Sequence, residues 1–262
     1  MDTPIRVVVI GGGIVGLSTA RALGERAERY RITVLEKEDE VALHQSGRNS
    51  GVLHSGVYYV PGSLKARLCT DGLRQMVDFC LEHSVPHDIC GKVIVATKTT
   101  ELPYLHEIQA RGEANGVRCR LIDPEELSRL EPAARGVQAL HVPDAGIVDY
   151  SAVCRAQRDL LSDDGHEVAF GAEVELVDPS GRTPRVRGED IDMSADAVVN
   201  CAGLHADRIA RASGAEPDML IVPFRGIFYE LREEARDLCR NLIYPVPDPE
   251  YPFLGVHLTR RT

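Results

Sequence analysis

The sequence predicts an α/β fold in which a parallel-stranded domain is interleaved with a smaller α+β domain. The first observation behind this prediction is the order of elements at the start of the chain. Residues 5–10 (IRVVVI) form a run of β-branched residues that is typical of a strand buried on both faces. The glycine-rich turn GGGIVG follows, residues 14–29 have apolar side chains at helical spacing, and residues 31–36 predict a second strand. This order is that of a βαβ unit with parallel strands.

The second observation is that helical and strand patterns alternate along the rest of the chain, and the third is that a buried-strand pattern returns late. We predict helices at 63–83, at 101–116, from Asp123-Pro124 onward and at 151–163. We predict strands at 91–97, within 167–177 and 184–193, at 195–203, at 222–231 and at 253–260, with a helix between the last two. We therefore expect one domain to comprise 1–83 plus 147–215 and the other to comprise 84–146 plus 216–262.

The first helix after the polar loop HQSGRNSG illustrates how these elements are assigned. Ser63 is the expected N-cap, because its hydroxyl can accept a hydrogen bond from an N–H of the first turn. Leu64, Leu68, Val77 and Leu81 recur at helical spacing. These four residues are expected on one side of the helix.

Composition and charge exclude several classes of protein. The formal net charge of −10 over 262 residues argues against binding to nucleic acid. Seven cysteines occur without a CxxC pair or a spacing that suits zinc, so we expect reduced thiols, no metal site and a cytoplasmic protein. No stretch approaches the roughly 20 apolar residues of a membrane span. Peripheral contact is the form of membrane association that the sequence leaves open.

The glycine-rich turn matches the dinucleotide fingerprint Gly11-x-Gly13-x-x-Gly16. The first glycine permits the tight turn, the second lets a pyrophosphate approach the backbone, and the third lets helix and strand pack closely. Glu36 follows about 20 residues beyond Gly16, at the end of the second strand, where a carboxylate can accept both ribose hydroxyl protons. Because strand, turn, helix, strand and acid occur in order, we predict a dinucleotide site rather than a chance glycine turn.

Two further segments favour FAD over a nicotinamide cofactor. The polar loop offers groups suited to a pyrophosphate and to flavin oxygens, namely Ser46, Arg48, Asn49, Ser50 and Gly51. A later strand ends in Ala202 and Gly203, small residues that let the backbone return close to the same phosphates. We add Lys37 and Val174 as candidate cofactor-binding residues. Both segments are also compatible with ordinary loops, but with the fingerprint they predict a Rossmann-like FAD-binding domain.

Four long motifs resemble one family of FAD enzymes. They are HQSGRNSGVLHSGVYYVPGSLKARLC at 44–69, HVPDAGIVDY at 141–150, VPFRGIFYEL at 222–231 and LIYPVPDPEYPFLGVHLTR at 242–260. They are similar to the L-2-hydroxyglutarate oxidase/dehydrogenase family, within the D-amino-acid-oxidase-like group. The resemblance covers essentially the whole chain. It implies non-covalent FAD and the oxidation of (S)-2-hydroxyglutarate to 2-oxoglutarate, with oxygen, a quinone or another carrier as electron acceptor.

The resemblance also raises an expectation about length. Members of that family continue well beyond the position of Thr262. We therefore expect this sequence to be a fragment that binds FAD weakly and turns over no substrate at a useful rate by itself.

Oxidation of a 2-hydroxy acid needs a base for the hydroxyl proton and cations for the carboxylates. Histidine is the base best matched to neutral pH, and His54 and His257 lie in segments expected near the flavin. Arg225 and Arg260 are the leading candidates for the carboxylates, because a guanidinium matches a carboxylate with two hydrogen bonds. Tyr58 is a candidate substrate contact. A histidine is more often structural than catalytic, and strand alternation places His257 and Arg260 on opposite faces.

Three other functions remain open on the sequence. Within the same fold, the alternatives are an amino acid or amine oxidase and a glycerol-3-phosphate dehydrogenase, since a fold alone does not decide the substrate. From another class, the alternative is a nucleotide-binding protein without catalytic activity. Bound flavin that no 2-hydroxy acid reduces would favour that last alternative.

Overall fold

The computed structural model describes residues 3–26, 29–248, 250 and 255–262. The chain divides into two compact units. The first unit consists of Met1–Asn49 and Tyr150–Ile227, and the second consists of Ser50–Asp149 and Phe228–Thr262. Each unit therefore combines two separate stretches of the chain.

Helices and strands alternate through the described residues. The α-helices are α1 (Ile14–Gly24), α2 (Leu64–Glu82), α3 (Leu102–Ala114), α4 (Pro124–Leu130), α5 (Tyr150–Asp163) and α6 (Ala206–Ala212). The first strands are β1 (Ile5–Ile10), β2 (Tyr30–Leu35), β3 (Val52–Leu53), β4 (His87–Asp88), β5 (Lys92–Ala96), β6 (Arg120–Ile122) and β7 (Gln138–Val142). The later strands are β8 (Gly146–Val148), β9 (Glu167–Ala169), β10 (Leu176–Asp178), β11 (Arg185–Gly188), β12 (Ile191–Ser194), β13 (Ala197–Asn200) and β14 (Leu242–Pro245).

A parallel sheet with the strand order β13-β1-β2-β9 lies at the centre of the first unit. Alternate residues of β1 enter two different cores, because successive side chains of a strand point to opposite faces. Val7 and Val9 pack with α1 and α5, whereas Val8 and Ile10 pack with Val186 of the antiparallel sheet β10-β11-β12. The predicted α/β class with a parallel sheet is confirmed.

The helix of the βαβ unit is shorter than predicted. α1 ends at Gly24, not at residue 29. A Cβ at Gly24 would lie 2.5 Å from the Nε2 atom of His166, so a larger residue there would require the His166 side chain to move. Ile5 N donates a hydrogen bond of 2.9 Å to the carbonyl oxygen of Arg29, which shows that the chain has turned toward β2 by that residue.

The second unit has a mixed sheet with the strand order β14-β5-β7-β6 and a small antiparallel sheet with the order β3-β8-β4. β5 runs parallel to β14 and antiparallel to β7, so it is hydrogen-bonded on both sides. Ile94, Leu105, Leu140 and Leu242 join α3 and this sheet in one core. The helix predicted from Asp123-Pro124 onward is found as α4, which Asp123 caps because its carboxylate accepts a 2.7 Å hydrogen bond from Glu126 N.

α2 confirms its predicted cap, and the leucines grouped on one side of it are not buried. Ser63 caps the helix by accepting a hydrogen bond from Ala66 N at 3.2 Å. Leu64, Leu68 and Leu81 are exposed. Ala66 and Cys80 are the buried residues of the helix. The buried side of α2 therefore carries small residues, and the spacing of the large apolar residues does not predict it.

Two predicted strands near the end of the chain are not found. Residues 222–231 form no strand, and their exposed apolar side chains include Phe224 and Ile227. Of the predicted strand at 253–260, residues 253 and 254 lie outside the described residues, and the remainder makes one isolated bridge between Leu258 and Ile243. The predicted helix between them is a 3-10 turn at Glu233–Leu238. A strand pattern needs a neighbouring strand with free N–H and C=O groups, and segment 222–231 has none within the described residues.

The compact units begin and end at other residues than the predicted domains do. Residues 50–83 belong to the second unit, whereas the predicted first domain runs to residue 83. The pairing of β3 with β8 ties the start of this stretch to the second unit. The pattern of residues 63–83 predicts a helix but carries no information about the sheet beside it.

Candidate functional site

The glycine-rich turn between β1 and α1 has no room for side chains at two of its positions. Gly11 has a φ of +108°, and a Cβ there would lie 2.5 Å from the carbonyl oxygen of Cys201. A Cβ at Gly16 would lie 1.9 Å from the carbonyl oxygen of Gly11. The turn is thus closed by the end of β13 on one side and by α1 on the other, as the sequence predicts for a close backbone approach.

Glu36 is held over this turn by backbone hydrogen bonds. Its Oε2 atom accepts a hydrogen bond of 2.6 Å from Gly12 N, and its Oε1 atom accepts one of 3.0 Å from Glu38 N. The side chain is buried. Both carboxylate oxygens keep further lone pairs, because each can accept more than one hydrogen bond. The carboxylate is therefore fixed in position and retains the capacity to accept hydroxyl protons.

A cavity of about 800 Å³ opens beside the turn within the first unit. This volume is within the usual range for small-molecule sites. The lining includes nine of the residues predicted to bind the cofactor: Gly11, Gly13, Glu36, Lys37, Ser46, Asn49, Val174, Ala202 and Gly203. Gly16 is buried in α1 beside the turn.

The polar loop contributes to the site in a different way from the one predicted. Ser46 Oγ accepts a hydrogen bond of 2.9 Å from Ile14 N, the first N–H of α1, so its own hydroxyl hydrogen points elsewhere. Asn49 Nδ2 donates to the carbonyl oxygens of Gln45 and Ser46, which fixes the turn of the loop. Arg48 is exposed and is not part of the cavity lining within the described residues, and its contact with a pyrophosphate stays a prediction.

Ser50 and Gly51 continue the polar loop into the second unit. Gly51 has a φ of +69°, which favours glycine, and its carbonyl oxygen accepts a 2.8 Å hydrogen bond from Val148 N. These two residues therefore start the small sheet of the second unit. Their predicted contact with the cofactor stays a prediction.

The rim of the cavity carries two histidines that the sequence analysis did not single out. His44 Nε2 lies 2.7 Å from Glu38 Oε1, and the rings of His44 and His205 meet edge to face with centroids 6.3 Å apart. The hydrogen bond from His44 lowers the pKa of Glu38, and the charge of Lys37 acts in the same direction. Partial burial lowers the pKa of His205, and Lys37 adds to this shift. His44 lies next to the predicted loop, but no sequence signal pairs it with His205.

The second unit holds a group of side chains that we term the lysine cluster. Its members are His54, Tyr58, Lys92, Tyr244 and His257. Lys92 Nζ lies 4.2 Å from the centroid of the Tyr244 ring and 5.5 Å from that of the Tyr58 ring. The Tyr244 ring also packs against His257, with ring centroids 4.7 Å apart. The structure thus brings the predicted residues His257 and Tyr58 to one buried cation.

Lys92 was not predicted to be part of any site. It is fully buried in β5, and its Nζ atom has no hydrogen-bond partner among the described residues. Burial lowers its pKa to about 8, while the Cys69 and Cys90 thiols act in the opposite direction. The sequence could have indicated Lys92 as a candidate, because it is the one charged residue in the otherwise apolar run KVIVA.

His54 lies in the same unit, and more than a third of its surface is exposed. Burial of the remainder lowers the pKa of His54 to about 4, and the charges of Lys92, His257 and Lys65 lower it further. His54 is therefore neutral at pH 7 and can accept a proton. The backbone carbonyl of His54 accepts a hydrogen bond from Cys69 Sγ at 3.2 Å.

The remaining predicted substrate contacts have other environments. Arg260 Nη1 lies 2.9 Å from Asp88 Oδ2 and donates to the carbonyl oxygen of Arg240 at 3.1 Å. Arg225 is exposed in the first unit, whereas Arg260 belongs to the second. The Tyr58 hydroxyl is buried without a hydrogen-bond partner among the described residues, and burial raises its pKa.

The described residues contain no group of three or more His, Cys, Asp or Glu side chains arranged to hold a metal ion. None of their helices is both long and apolar enough to cross a membrane.

This chain is similar to known proteins over nearly all of its length. It is 44% identical over 257 residues to "L-2-hydroxyglutarate dehydrogenase" of Indibacter alkaliphilus, covering 97% of this chain and 64% of the relative. It is 42% identical over 255 residues to the Escherichia coli protein of the same name, covering 97% and 60%. It is 42% identical over 270 residues to the human "L-2-hydroxyglutarate dehydrogenase, mitochondrial", covering 97% and 58%. The chain thus spans about 60% of the length of these curated relatives.

Solved structures agree on the fold. L-alpha-glycerophosphate oxidase from Mycoplasma pneumoniae with FAD bound is similar with a TM-score of 0.78 and 22% identity, over 94% of this chain and 66% of that chain. L-proline dehydrogenase from P. horikoshii is similar with a TM-score of 0.78 and 18% identity, over 94% and 65%. At these identities the likeness shows the fold alone.

The family model described as "FAD dependent oxidoreductase" matches residues 6–262. It includes both the glycine-rich turn with Glu36 and the lysine cluster. The chain belongs to this family of FAD-dependent oxidoreductases.

Proposed function

We propose that this protein oxidises (S)-2-hydroxyglutarate to 2-oxoglutarate with FAD as its cofactor. The observation that carries the choice of substrate is the 42–44% identity to relatives named L-2-hydroxyglutarate dehydrogenase over 97% of this chain. The geometry supports an oxidoreductase of this class, because it combines a dinucleotide cavity with a neutral histidine and a buried cation. The proposal inherits the substrate from proteins that are longer than this chain.

The first unit fits the adenine dinucleotide part of FAD. Gly11 and Gly16 leave the backbone of the turn bare, and the start of α1 offers N–H groups and a positive dipole end to phosphate. Glu36 would accept the ribose hydroxyl protons, and Val174, Ala202 and the rim residue Lys37 would complete the pocket. Bound FAD supplies the acceptor for the hydride that leaves C2 of the substrate.

His54 is the proposed base. A 2-hydroxy acid loses its hydroxyl proton and a hydride from the neighbouring carbon when it becomes a 2-oxo acid. The neutral imidazole of His54 has one ring nitrogen with a lone pair that can take the hydroxyl proton. His257 is the second candidate, but its Nδ1 lies 2.9 Å from the Gly255 carbonyl oxygen and its ring packs on Tyr244. These contacts favour a positioning role for His257.

Arg225 and Arg260 remain the proposed carboxylate partners. The present ion pair of Arg260 with Asp88 means that a substrate carboxylate would have to replace or share that partner. If either arginine binds a carboxylate with two hydrogen bonds, a change to Lys removes the two-pronged contact while keeping the charge. Arg225→Lys or Arg260→Lys should then impair turnover of 2-hydroxyglutarate more than turnover of a monocarboxylic 2-hydroxy acid. Equal losses for both substrates would indicate a structural role.

Oxygen and a quinone are the proposed electron acceptors, and we propose the cytoplasm as the compartment. The human relative is named as mitochondrial, which makes the compartment of this chain a separate question from its chemistry. Contact with a membrane surface would suit a quinone acceptor.

The decisive experiment is anaerobic reduction of the flavin in a version of the protein that has the full length of its curated relatives, after FAD has been identified in the supernatant of the denatured protein. The substrates are (S)-2-hydroxyglutarate, its (R) enantiomer, lactate, glycine, proline and glycerol 3-phosphate. We expect bleaching by (S)-2-hydroxyglutarate alone, and none in His54→Gln with the same FAD content. Bleaching by glycine, proline or glycerol 3-phosphate instead would overturn the substrate. Release of a nicotinamide cofactor and no flavin would overturn the cofactor.

A further inference from the structure

The rim of the dinucleotide cavity has a ring contact that the proposed chemistry does not use. His44 comes from the polar loop, and His205 ends the 3-10 turn that follows β13. Both residues line the cavity. Their rings meet edge to face with centroids 6.3 Å apart, within the range of roughly 4.5–7 Å that favours aromatic pairs. The contact therefore joins two segments of the first unit that lie far apart in the sequence.

The His205 side of this contact is held in place by Asn200 at the end of β13. Asn200 Nδ2 donates a hydrogen bond of 2.8 Å to the carbonyl oxygen of Ala206, and Asn200 Oδ1 accepts one of 3.2 Å from Ala202 N. His205 N donates a hydrogen bond of 3.0 Å to the carbonyl oxygen of Ala202. These bonds fold residues 200–206 into one tight turn, so the backbone of His205 has a defined position beside the cavity.

The His44 side is connected to the carboxylate that is expected to bind the ribose. Glu36 Oε1 accepts a hydrogen bond of 3.0 Å from Glu38 N, and Glu38 Oε1 lies 2.7 Å from His44 Nε2. Lys37 Nζ lies 3.6 Å from the same oxygen of Glu38. A series of contacts therefore runs from Glu36 through Glu38 to His44 and ends at His205. Because Glu36 marks the expected ribose position, this pair of histidines belongs to the adenosine end of the cavity.

We infer that His44 and His205 form a clasp, here termed the histidine clasp, that closes over the adenosine half of bound FAD and slows its release. The inference goes beyond the proposed function, because it requires bound FAD and no particular substrate. An imidazole ring offers an apolar face to an adenine and an N–H group to an oxygen acceptor. Release of the cofactor would require the two rings to separate, because they join the two segments that line this part of the cavity.

The charges around His205 make the histidine clasp sensitive to acid. Partial burial lowers the pKa of His205, and the positive charge of Lys37 is the next cause. Arg208 on α6 and His44 act in the same direction, whereas Glu173 opposes them. His205 is therefore neutral at pH 7 and gains its proton only below its ordinary pKa of 6.5. Once protonated, it stands among other cations, so acid favours the open form of the clasp.

The test measures how fast FAD leaves the loaded protein, in a version that has the full length of the curated relatives. The protein is diluted, and the rise of flavin fluorescence gives the release rate. His205→Ala removes the ring contact, and His205→Phe keeps an aromatic ring that takes up no proton. His106→Ala is the matched control, because His106 is an exposed histidine of the second unit whose Nε2 atom lies 2.8 Å from Gln138 Oε1.

We expect His205→Ala to release FAD about threefold to tenfold faster than wild type at pH 8, as the loss of one edge-to-face ring pair implies. His205→Phe should stay within about twofold of wild type, because the ring contact is kept. His106→Ala should release FAD at the wild-type rate. A His205→Ala rate equal to that of His106→Ala overturns the inference, and so does a His205→Phe rate as high as that of His205→Ala.

A double variant separates a clasp from two independent contacts. His44→Ala opens the histidine clasp from the other side, so the addition of His205→Ala should not speed the release of FAD any further. If the effects of the two single variants multiply in the double variant, each histidine acts alone and the clasp is overturned.

Acid provides a second readout of the same contact. Between pH 8 and pH 5 the release rate should rise more in wild type than in His205→Phe, because only the wild-type ring gains a proton. Equal rises in the two proteins would overturn the acid opening of the clasp. The proposed substrate is decided separately, since bound FAD that no 2-hydroxy acid reduces would overturn the substrate and leave the release rates to decide the clasp.

Discussion

Glu36 in the first unit and Lys92 in the second are both buried ionisable side chains beside candidate functional residues, yet their surroundings are opposite. The carboxylate of Glu36 accepts hydrogen bonds from the N–H groups of Gly12 and Glu38. The ammonium of Lys92 has aromatic rings near it and no hydrogen-bond acceptor among the described residues. The first charge is satisfied before any ligand arrives, and the second is not.

This difference separates two ways of building a site. A satisfied charge is held rigidly and serves recognition, because it presents its remaining lone pairs in one geometry. An unsatisfied charge is destabilising, and it projects a field onto its neighbours because nothing cancels it. We therefore expect substitutions in the first unit to reduce stability or cofactor binding, and substitution of Lys92 to increase stability.

The largest effect should come from Gly16→Ala, which would break the rigid turn of the first unit. The new methyl carbon would lie 1.9 Å from the carbonyl oxygen of Gly11, so the backbone of the turn must move. We expect the free energy of unfolding to fall by roughly 3–5 kcal/mol and FAD affinity to fall more than tenfold. Urea unfolding and FAD fluorescence titration measure the two effects.

The control for that variant is Gly72→Ala, in α2. A Cβ at Gly72 would meet no heavy atom within 4 Å. Alanine in a helix interior should stabilise the protein by roughly 0.5–1 kcal/mol. A Gly16→Ala protein that unfolds at the same urea concentration as Gly72→Ala would contradict the steric argument.

The next effect is the stabilisation expected of Lys92→Met. The shift of its pKa from 10.5 to about 8 corresponds to about 3 kcal/mol of penalty for the buried charge. Methionine fills similar space without the charge, so we expect the free energy of unfolding to rise by about 1–3 kcal/mol at pH 7.

The pH dependence of this stabilisation has a definite sign. The folded-state pKa of Lys92 is below its unfolded value, so the unfolded state binds more protons between pH 8 and 10.5. The wild-type chain should therefore gain stability from this group as pH rises through that window, and the advantage of Lys92→Met should shrink. Urea unfolding at pH 7 and pH 10 tests both parts. A variant that is less stable than wild type at pH 7 would contradict the account of Lys92 as an unsatisfied charge.

A smaller effect is expected of Glu36→Ala on cofactor binding. Loss of the charged acceptor for the ribose hydroxyls should weaken FAD binding by about 1–3 kcal/mol. Fluorescence titration with FAD measures the change, and Asp39→Ala provides a neighbouring exposed acid as control. Equal affinities of Glu36→Ala and wild type would mean that the carboxylate serves only the turn.

The smallest effect is expected of Glu131→Gln, a satisfied buried charge in the same unit as Lys92. The carboxylate of Glu131 is fully buried and accepts hydrogen bonds from Arg240 N and Asn241 N, which hold the start of β14. A neutral amide keeps one acceptor and loses the charge assistance, so we expect a loss of about 1–2 kcal/mol. Glu125→Gln, at an exposed position of α4, is the control. A higher free energy of unfolding in Glu131→Gln than in wild type would contradict the distinction between satisfied and unsatisfied charges.

The first unit was largely predictable from the sequence because its contacts are local and because its turn requires glycine. β1, β2 and Glu36 follow one another within a single βαβ unit. Each glycine of the fingerprint lies where the backbone leaves little room for a side chain. The return of β13 to the same turn was also expected, because the small residues Ala202 and Gly203 let the backbone come close to the turn.

The second unit was less predictable because its contacts join distant parts of the chain. The apolar residues of segment 222–231 look like a strand, but a strand forms only where a neighbour supplies hydrogen bonds. The leucines of α2 have helical spacing, but the side that packs is set by the small residues Ala66 and Cys80. A comparable case in the first unit is Arg48, whose exposed position depends on how residues 44–49 turn.

The sequence by itself determined the α/β class, the dinucleotide turn with its acid and the family of FAD-dependent oxidoreductases. The class and the turn depend on periodicity and on residues close together in the chain, which report local backbone geometry directly. The family follows from the resemblance of four long motifs to known FAD enzymes. The tertiary structure alone decided that Lys92 lies between Tyr58 and Tyr244 with no hydrogen-bond partner in the part of the chain that the structure describes, while Glu36 and Glu131 are satisfied. Whether a buried charge finds a partner depends on groups brought together by the fold from far apart in sequence, and periodicity carries no record of them.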